Sequence, residues 1–178
     1  MNKVDPRLWK RLHARLPSCE LKLDGTAIAS HSGDKWFATA RPEAVALPRS
    51  VKSVSAIMRF AYRHQIPVTP RGAGFGYVGG CVPLKGGIAL STARMKRIKE
   101  INENDFVAVV QPGVITADLQ AKAEEKGLYY PPDPASRADC SIGGNIATNA
   151  GGPRSLKYGV TSDYVLGLEV VLSAGTVA

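Results

Sequence analysis

Leu8, Trp9, Leu12 and Leu16 recur at helical spacing behind Asp5-Pro6, a capping residue followed by a first-turn proline, and predict an amphipathic helix over 6–16. No such period runs through 17–41. Asp24-Gly25 and Ser32-Gly33-Asp34 are turn signals there, so the stretch reads as an approach segment laid over the main domain, without legible function. Beyond Pro42 the pattern sharpens. Ala44 to Leu47 is a short apolar run closed by Pro48, Ser50 caps a helix with Val51, Val54, Ile57, Met58 and Ala61 on one stripe, and Ile66 to Thr69 is apolar again. This is a strand, helix, strand unit. Ile88 to Ser91 predicts a further strand, Phe106 to Gln111 a continuous buried one, Thr116 to Lys126 a helix ended by Gly127, and Tyr164 to Ser173 a long strand. Strand-helix-strand pieces mixed with strand-rich ones define an α+β fold, divided into 1–41 and a main domain over 42–178.

Of the 18 glycines, seven lie between Gly72 and Gly87 and five between Gly143 and Gly159, so two short segments need backbone that other residues cannot supply. The first follows the predicted strand through Pro70-Arg71, where a parallel sheet presents its ligand edge. It contains a literal G-x-G-x-x-G, Gly74-Phe75-Gly76-Tyr77-Val78-Gly79. The dinucleotide fingerprint also requires a helix to start inside the motif, and Gly79-Gly80, Pro83 and Gly86-Gly87 leave no room for one. No Gly-Lys-Ser/Thr follows, which excludes a P-loop. Two readings remain open: successive amides around Gly72, Gly74 and Gly76 converging on an anion beside Arg71, or a turn that needs glycine only for its backbone angles. In the second segment, Asp139 to Gly152, small residues let a flat ligand approach the backbone while Asn145 and Asn149 satisfy its polar edge; the alternative is a packing segment.

Composition narrows the class. With 44% apolar and 21% charged residues the chain is globular. A formal charge of +8 raises nucleic acid as a ligand, yet aromatic RNA motifs and zinc-finger spacing are missing, and none is expected to bind. The densest basic groups, Arg7, Lys10, Arg11 and Arg15, then Arg94, Lys96, Arg97 and Lys99, are either solvated faces or contacts for an acidic partner. Cys19, Cys81 and Cys140 have no paired spacing, which fits a reducing cytoplasm. No apolar run approaches the ~18 residues of a membrane span, so the expected location is cytoplasmic, free or peripheral at the inner face of the membrane. Cys140 reads as a small buried residue, and His13, His31 and His64 as surface or hydrogen-bonded structural histidines without metal-binding spacing.

Pro70 to Gly80, then Tyr130-Pro131-Pro132-Asp133-Pro134-Ala135-Ser136, then Cys140 to Gly152 and Tyr158-Gly159 to Ser173 stand in a fixed order that resembles the FAD-binding half of the vanillyl-alcohol-oxidase type flavoproteins. The likeness is nearest to the D-2-hydroxyacid dehydrogenases and glycolate oxidase D subunits, and covers about Pro42 to the last residue. The resemblance implies a PCMH-type FAD-binding fold, a small βαβ subdomain followed by a larger mixed-sheet subdomain. It also implies that Arg71, Gly72, Ala73, Gly74, Phe75, Gly76 and Tyr77 wrap the FAD pyrophosphate, and that Pro132, Asp133 and Ser136 lie near the ribityl and flavin. Ser141, Gly143, Gly144, Asn145, Asn149, Ala150 and Gly151 are then expected along the cofactor's other side.

Relatives that attach FAD covalently carry histidine where this chain has Phe75, or cysteine near Arg137, so FAD is expected to be non-covalent. By the same resemblance, relatives continue past Ala178 into a substrate domain with histidine-rich substrate and metal residues. The chain is therefore expected to be the N-terminal piece of an oxidoreductase for a D-2-hydroxyacid such as glycolate or D-lactate, to carry no catalytic residue itself, and to work with an iron-sulfur electron-transfer subunit or as a homo-oligomer. The alternatives are another FAD reaction on the same fold, such as reduction of an enolpyruvyl sugar nucleotide, and a non-catalytic flavin-binding or assembly module.

Overall fold

The computed structural model describes residues 4–17 and 20–178, so Cys19 lies outside the described residues. The chain forms two compact units, Met1–Arg94 with Glu169–Ala178, and Met95–Leu168. In the first, Asp5 caps α1 (Pro6–His13) by accepting from Arg7 N at 2.9 Å. The helix stops at His13, short of the predicted 16, although Leu16 still packs into the core beside Trp9 and Leu12.

Residues 20–41, read from sequence as an approach segment, contribute a strand and a helix to the first unit. β1 (Leu21–Lys22) pairs antiparallel with β2 (Ala44–Ala46), and Asp24, read from sequence as a turn residue, caps α2 (Gly25–Ser30) through Ala27 N at 2.9 Å. A capping Asp before Gly looks like a turn in sequence, because both uses exploit the same short side-chain acceptor. Ser50 caps α3 (Val51–Arg63) as predicted, and Ile57 and Ala61 of the expected stripe are buried together with Phe60. β3 spans Val68–Arg71 and β4 spans Ile88–Ser91. The sheet order is β1-β2-β4-β3, with β2, β4 and β3 parallel, so all three of these strands deliver their C-terminal ends to one edge.

Gly87, just before β4, ties this sheet together. Its carbonyl accepts from Glu43 N at 2.8 Å and Ala44 N at 3.1 Å at the start of β2, while a Cβ on it would stand 2.2 Å from the Pro67 carbonyl oxygen before β3. Its φ of +66° adds a second reason for glycine.

In the second unit, β5 (Ile98–Asn102) and β6 (Val107–Val110) form an antiparallel pair, followed by α4 (Thr116–Glu124), α5 (Ile142–Thr148), α6 (Ser155–Tyr158) and a 3-10 turn at Thr161–Tyr164. β6 is not the buried strand expected over 106–111, since Val109 and Phe106 are exposed. Among the described residues it pairs only with β5, and its central residues Ala108 and Val109 are both exposed. Val114, Leu119 and Ile142 make the small core of this unit.

The long strand expected over 164–173 does not form. Leu166, Leu168, Val170 and Leu172 do alternate, but all four are exposed, and residues 165–169 have no ladder partner among those described. Residues 170–178 pair with themselves through reciprocal Val170 and Ala178 bonds of 2.8 and 2.9 Å. Alternation sets which way side chains face; only a neighbouring strand makes the segment a strand.

Gly87→Ala should lower stability by at least about 2 kcal/mol, because left-handed backbone and a carbonyl clash act together. Gly25→Ala, at the first position of α2 with nothing within 4 Å of the new methyl, should be neutral or stabilising. Thermal melts of the two variants beside the parent chain decide this, and equal losses would contradict the assignment.

Candidate flavin-binding site

The first unit positions Arg71 to Tyr77 at the C-terminal edge of the parallel strands. Arg71 ends β3 opposite Ser91, and no helix follows through Gly87, as expected. Gly74 sits at φ +82° and folds the chain back over the Arg71 side chain, so closely that a Cβ there would lie 2.1 Å from Arg71 Nη2. The guanidinium donates from Nη1 to the Gly33 carbonyl at 2.5 Å and to Cys81 Sγ at 3.3 Å. Among the described residues no carboxylate pairs with it, so its charge is oriented without being neutralised.

Asp34, which the sequence reading missed, pins the loop from the segment that seemed featureless. Its Oδ2 accepts from Gly79 N at 2.9 Å and its Oδ1 from Trp36 N at 2.8 Å, while Lys35 N donates to the Gly76 carbonyl at 3.2 Å. Lys35 Nζ stands 4.9 Å from the Phe75 ring centre, and Trp36 packs edge-on to Tyr77 at 5.7 Å. Held in this way, the amides of Ala73, Gly74, Phe75, Gly76, Tyr77 and Val78 donate to no protein acceptor among the described residues. Gly76 and Gly80 have nothing within 4 Å of a built Cβ, so internal packing does not explain glycine at either place. A run of free N–H donors, half-buried at Ala73–Gly76 and exposed at Tyr77 and Val78, next to an uncompensated cation and with open space over Gly76, fits a pyrophosphate.

The second unit holds the other candidates, and there several backbone donors are already used. The segment read as a loop from Ser141 is largely helix α5, capped by Ser141 Oγ accepting from Gly144 N at 3.4 Å. Gly143 N donates to the Pro112 carbonyl at 2.8 Å, and Asn145 N and Ala150 N reach Ser141 O and Asn145 O at 2.9 and 2.8 Å. Each asparagine side chain makes one internal bond, and the exposed Asn149 keeps its Nδ2 without a protein acceptor among the described residues. Asn145 is buried and its Nδ2 donates to Thr116 Oγ1 at 2.6 Å, while Asn149, at φ +47°, accepts at Oδ1 from Ser162 N at 2.9 Å. Through these bonds both asparagines, expected at the cofactor's polar edge, also fasten α5 to its neighbours.

Pro132, Asp133 and Ser136 are brought against this segment. A Cβ at Gly152 would stand 1.8 Å from the Asp133 carbonyl oxygen, so the two stretches touch backbone to backbone. Gln120 Nε2 holds the Pro132 carbonyl at 2.9 Å, the Asp133 carboxylate lies 3.3 Å from both Arg137 Nε and Arg154 Nε, and the Ser136 carbonyl accepts from Asp139 N and Cys140 N at 2.8 Å. Gly151 is exposed and Gly144 half-buried. What this unit presents to a ligand is therefore fixed shape more than free hydrogen-bond donors.

Cys140 is buried as expected, 3.3 Å from Thr116 Oγ1. Tyr130 lies beside it, and burial first, then Cys140 and Tyr164, push its phenol up to about 12. His13 is exposed, and His31 Nδ1 is 2.9 Å from the Ala27 carbonyl. His64 departs from the expectation for histidines: its Nε2 is shielded from solvent and has no hydrogen-bond partner, because the ring packs on Phe60 with centres 4.5 Å apart.

The family model of the FAD binding domain matches residues 42–178. The chain belongs to that family. This FAD-binding domain is 50% identical over 136 residues to the glycolate oxidase subunit GlcD of Bacillus subtilis (strain 168), covering 76% of the chain and 29% of the relative. It is 41% identical over 174 residues to a D-2-hydroxyglutarate dehydrogenase of Stutzerimonas stutzeri (strain A1501), covering 97% of the chain and 37% of the relative. The chain thus spans about a third of the length of these curated relatives. Among solved structures, a 4-ethylphenol oxidase from Gulosibacter chungangensis superposes with a TM-score of 0.83 at 28% identity, over 97% of this chain and 34% of that one. An alkyldihydroxyacetonephosphate synthase shares the fold at a TM-score of 0.88 and 24% identity, over 97% and 34% of the two chains. FAD is the cofactor of this FAD-binding domain, and the α+β flavoprotein fold expected from the ordered motifs is the one observed.

Gly74→Val should weaken FAD binding at least tenfold, about 1.4 kcal/mol, because the new side chain displaces the Arg71 guanidinium and strains the turn. Flavin-fluorescence titration of the variant, with its circular dichroism unchanged, checks this; parental affinity would return the glycines to a purely conformational role. For Tyr130, a native phenol that ionises later than its ordinary 10.0 keeps its proton while the unfolded chain loses one. Stability should therefore fall between pH 10 and 12, and absorbance at 295 nm should show a late-titrating tyrosine that disappears in Tyr130→Phe.

Proposed function

We propose that this FAD-binding domain serves a flavin-dependent oxidoreductase that oxidises a D-2-hydroxyacid of the glycolate or D-lactate type. The observation that carries it is the free-amide loop at Ala73–Val78 beside Arg71, in a chain whose relatives bear hydroxyacid-oxidising names. When bound, FAD supplies the acceptor for a hydride from the substrate carbon. The loop amides and Arg71 bind the pyrophosphate, and Asp34 keeps the loop in its receiving conformation. In the second unit, Gln120, Arg137 and Arg154 hold the Pro132–Ser136 stretch in place, and Asn145 and Asn149 hold α5.

Phe75 carries no nucleophile for a flavin carbon, so the cofactor is held without a covalent bond. The residues here bind and orient. Exposed His13, bonded His31 and packed His64 form no catalytic base, and oxidation draws on residues of the whole oxidoreductase beyond this set. A partner subunit belongs to the same proposal, supported by the subunit name of one relative; an iron-sulfur electron acceptor and a cytoplasmic location are proposed with it on the family resemblance alone.

Acid precipitation of the flavin-loaded chain should leave the yellow colour in the supernatant, and anaerobic glycolate, D-lactate and L-lactate should leave the flavin of residues 1–178 oxidised. A flavin-labelled peptide in the pellet would overturn the non-covalent assignment. Bleaching by this chain would place a catalytic residue within it. In the whole oxidoreductase, bleaching by glycolate or D-lactate supports the substrate class, and indifference to every hydroxyacid favours an assembly role.

A further inference from the structure

The basic group at the end of α1 meets a second one on α3. Arg15, Ala56, Arg59, Phe60 and Arg63 line a half-open recess of about 140 Å³. A single water needs only roughly 10–15 Å³ of such space, so a phosphate-sized anion fits. Groups that leave its charge intact hold the guanidinia in place. Arg15 lies over the Phe60 ring at 5.5 Å, and Arg59 Nη2 reaches Ser55 Oγ at 3.4 Å and the Gly175 carbonyl at 3.5 Å. Among the described residues, none of Arg15, Arg59 and Arg63 pairs with a carboxylate. His64, one turn on from Phe60 and stacked on its ring, stands next to the recess; burial first, then the positive charges of Arg11, Arg63 and Arg15, hold its pKa below the ordinary value.

Attraction to a helix C-terminus accounts for Arg11 and Arg63, which lie in the last turns of α1 and α3. It does not account for Arg15 and Arg59 turning toward the same recess, where like charges repel. We infer that this recess binds a phosphate group. Guanidinium forks suit phosphate oxygens, and a phosphate carries ~1.5 to 2 negative charges on three acceptor oxygens, more than one carboxylate brings to three cations. The inference stands apart from the flavin reading, because none of these residues belongs to the loop at Ala73–Val78.

The test titrates the flavin-loaded full chain with sodium phosphate at fixed ionic strength, followed by calorimetry and the His64 ring-proton signals. Saturable one-to-one binding with a shifting His64 signal is expected, weakened at least tenfold in Arg59→Gln/Arg63→Gln and unchanged in Lys52→Gln at the other end of α3. Should the double variant fail to fold, Arg63→Gln alone should lose the rise in melting temperature that phosphate gives the parent chain. Vesicles of phosphatidylglycerol against phosphatidylcholine separate the two sources of the group. Selective sedimentation with the anionic vesicles, reversed by phosphate, identifies a lipid headgroup, whereas phosphate binding without vesicle preference identifies a soluble phosphate. Linear, unsaturable phosphate uptake without vesicle preference, or binding equal in parent and double variant, would overturn the site.

Discussion

A left-handed turn at Gly74, closed onto the guanidinium of the residue that ends β3, is the constraint on which the candidate site depends. Any other residue there must displace Arg71 and adopt an unfavourable backbone angle at once. With the turn in place, the chain leaves the sheet edge as a loop instead of a helix, and its amides from Ala73 to Val78 donate to no protein acceptor among the described residues. A helix starting here would leave only its first four N–H groups free. This fold keeps them available by spending glycines, and it stabilises the exposed loop from outside, through one carboxylate at Asp34 and the packing of Trp36 and Tyr77.

The candidate residues of the two units differ in kind. In the first, amides without a protein acceptor among the described residues stand beside the Arg71 guanidinium. In the second, several polar groups near the candidate residues are occupied: Gln120 on Pro132, Asp133 between two arginines, Asn145 on Thr116 and Asn149 on Ser162. Occupied groups hold a surface rigid and shaped, which suits the flat, largely apolar part of a cofactor better than its charged part. That division explains why the glycines of the first loop include positions without internal contacts, whereas Gly143 and Gly152 are fixed by Pro112 and Asp133.

Much of this was legible in sequence where the signal is local. Ser50 announces α3, Asp5-Pro6 announces α1, and the proline and glycines after Gly79 exclude a Rossmann helix from the residues themselves. What stayed hidden depends on distant partners. Asp34 acts on Gly79 across 45 residues, with nothing nearby in sequence to mark it. Helix α5 contains Gly143 and Gly144, poor helix formers at about 1 kcal/mol each, and it forms because Ser141 caps it and Gly143 must fit against Pro112. β5, with Lys99 and Glu100 at its centre, lacks an apolar signature and is defined by its pairing with β6. The alternation over 164–173 misled for the converse reason, a strand pattern without a neighbouring strand.

The central claim is that the amides of Ala73 to Val78 receive the cofactor's pyrophosphate. Backbone amide NMR of the chain with and without FAD tests it directly. Large shifts and slowed hydrogen exchange at these amides, with smaller changes at the internally bonded Gly143, Gly144 and Asn145, are the predicted result. FAD binding that leaves Ala73 to Val78 unshifted and freely exchanging would contradict the account.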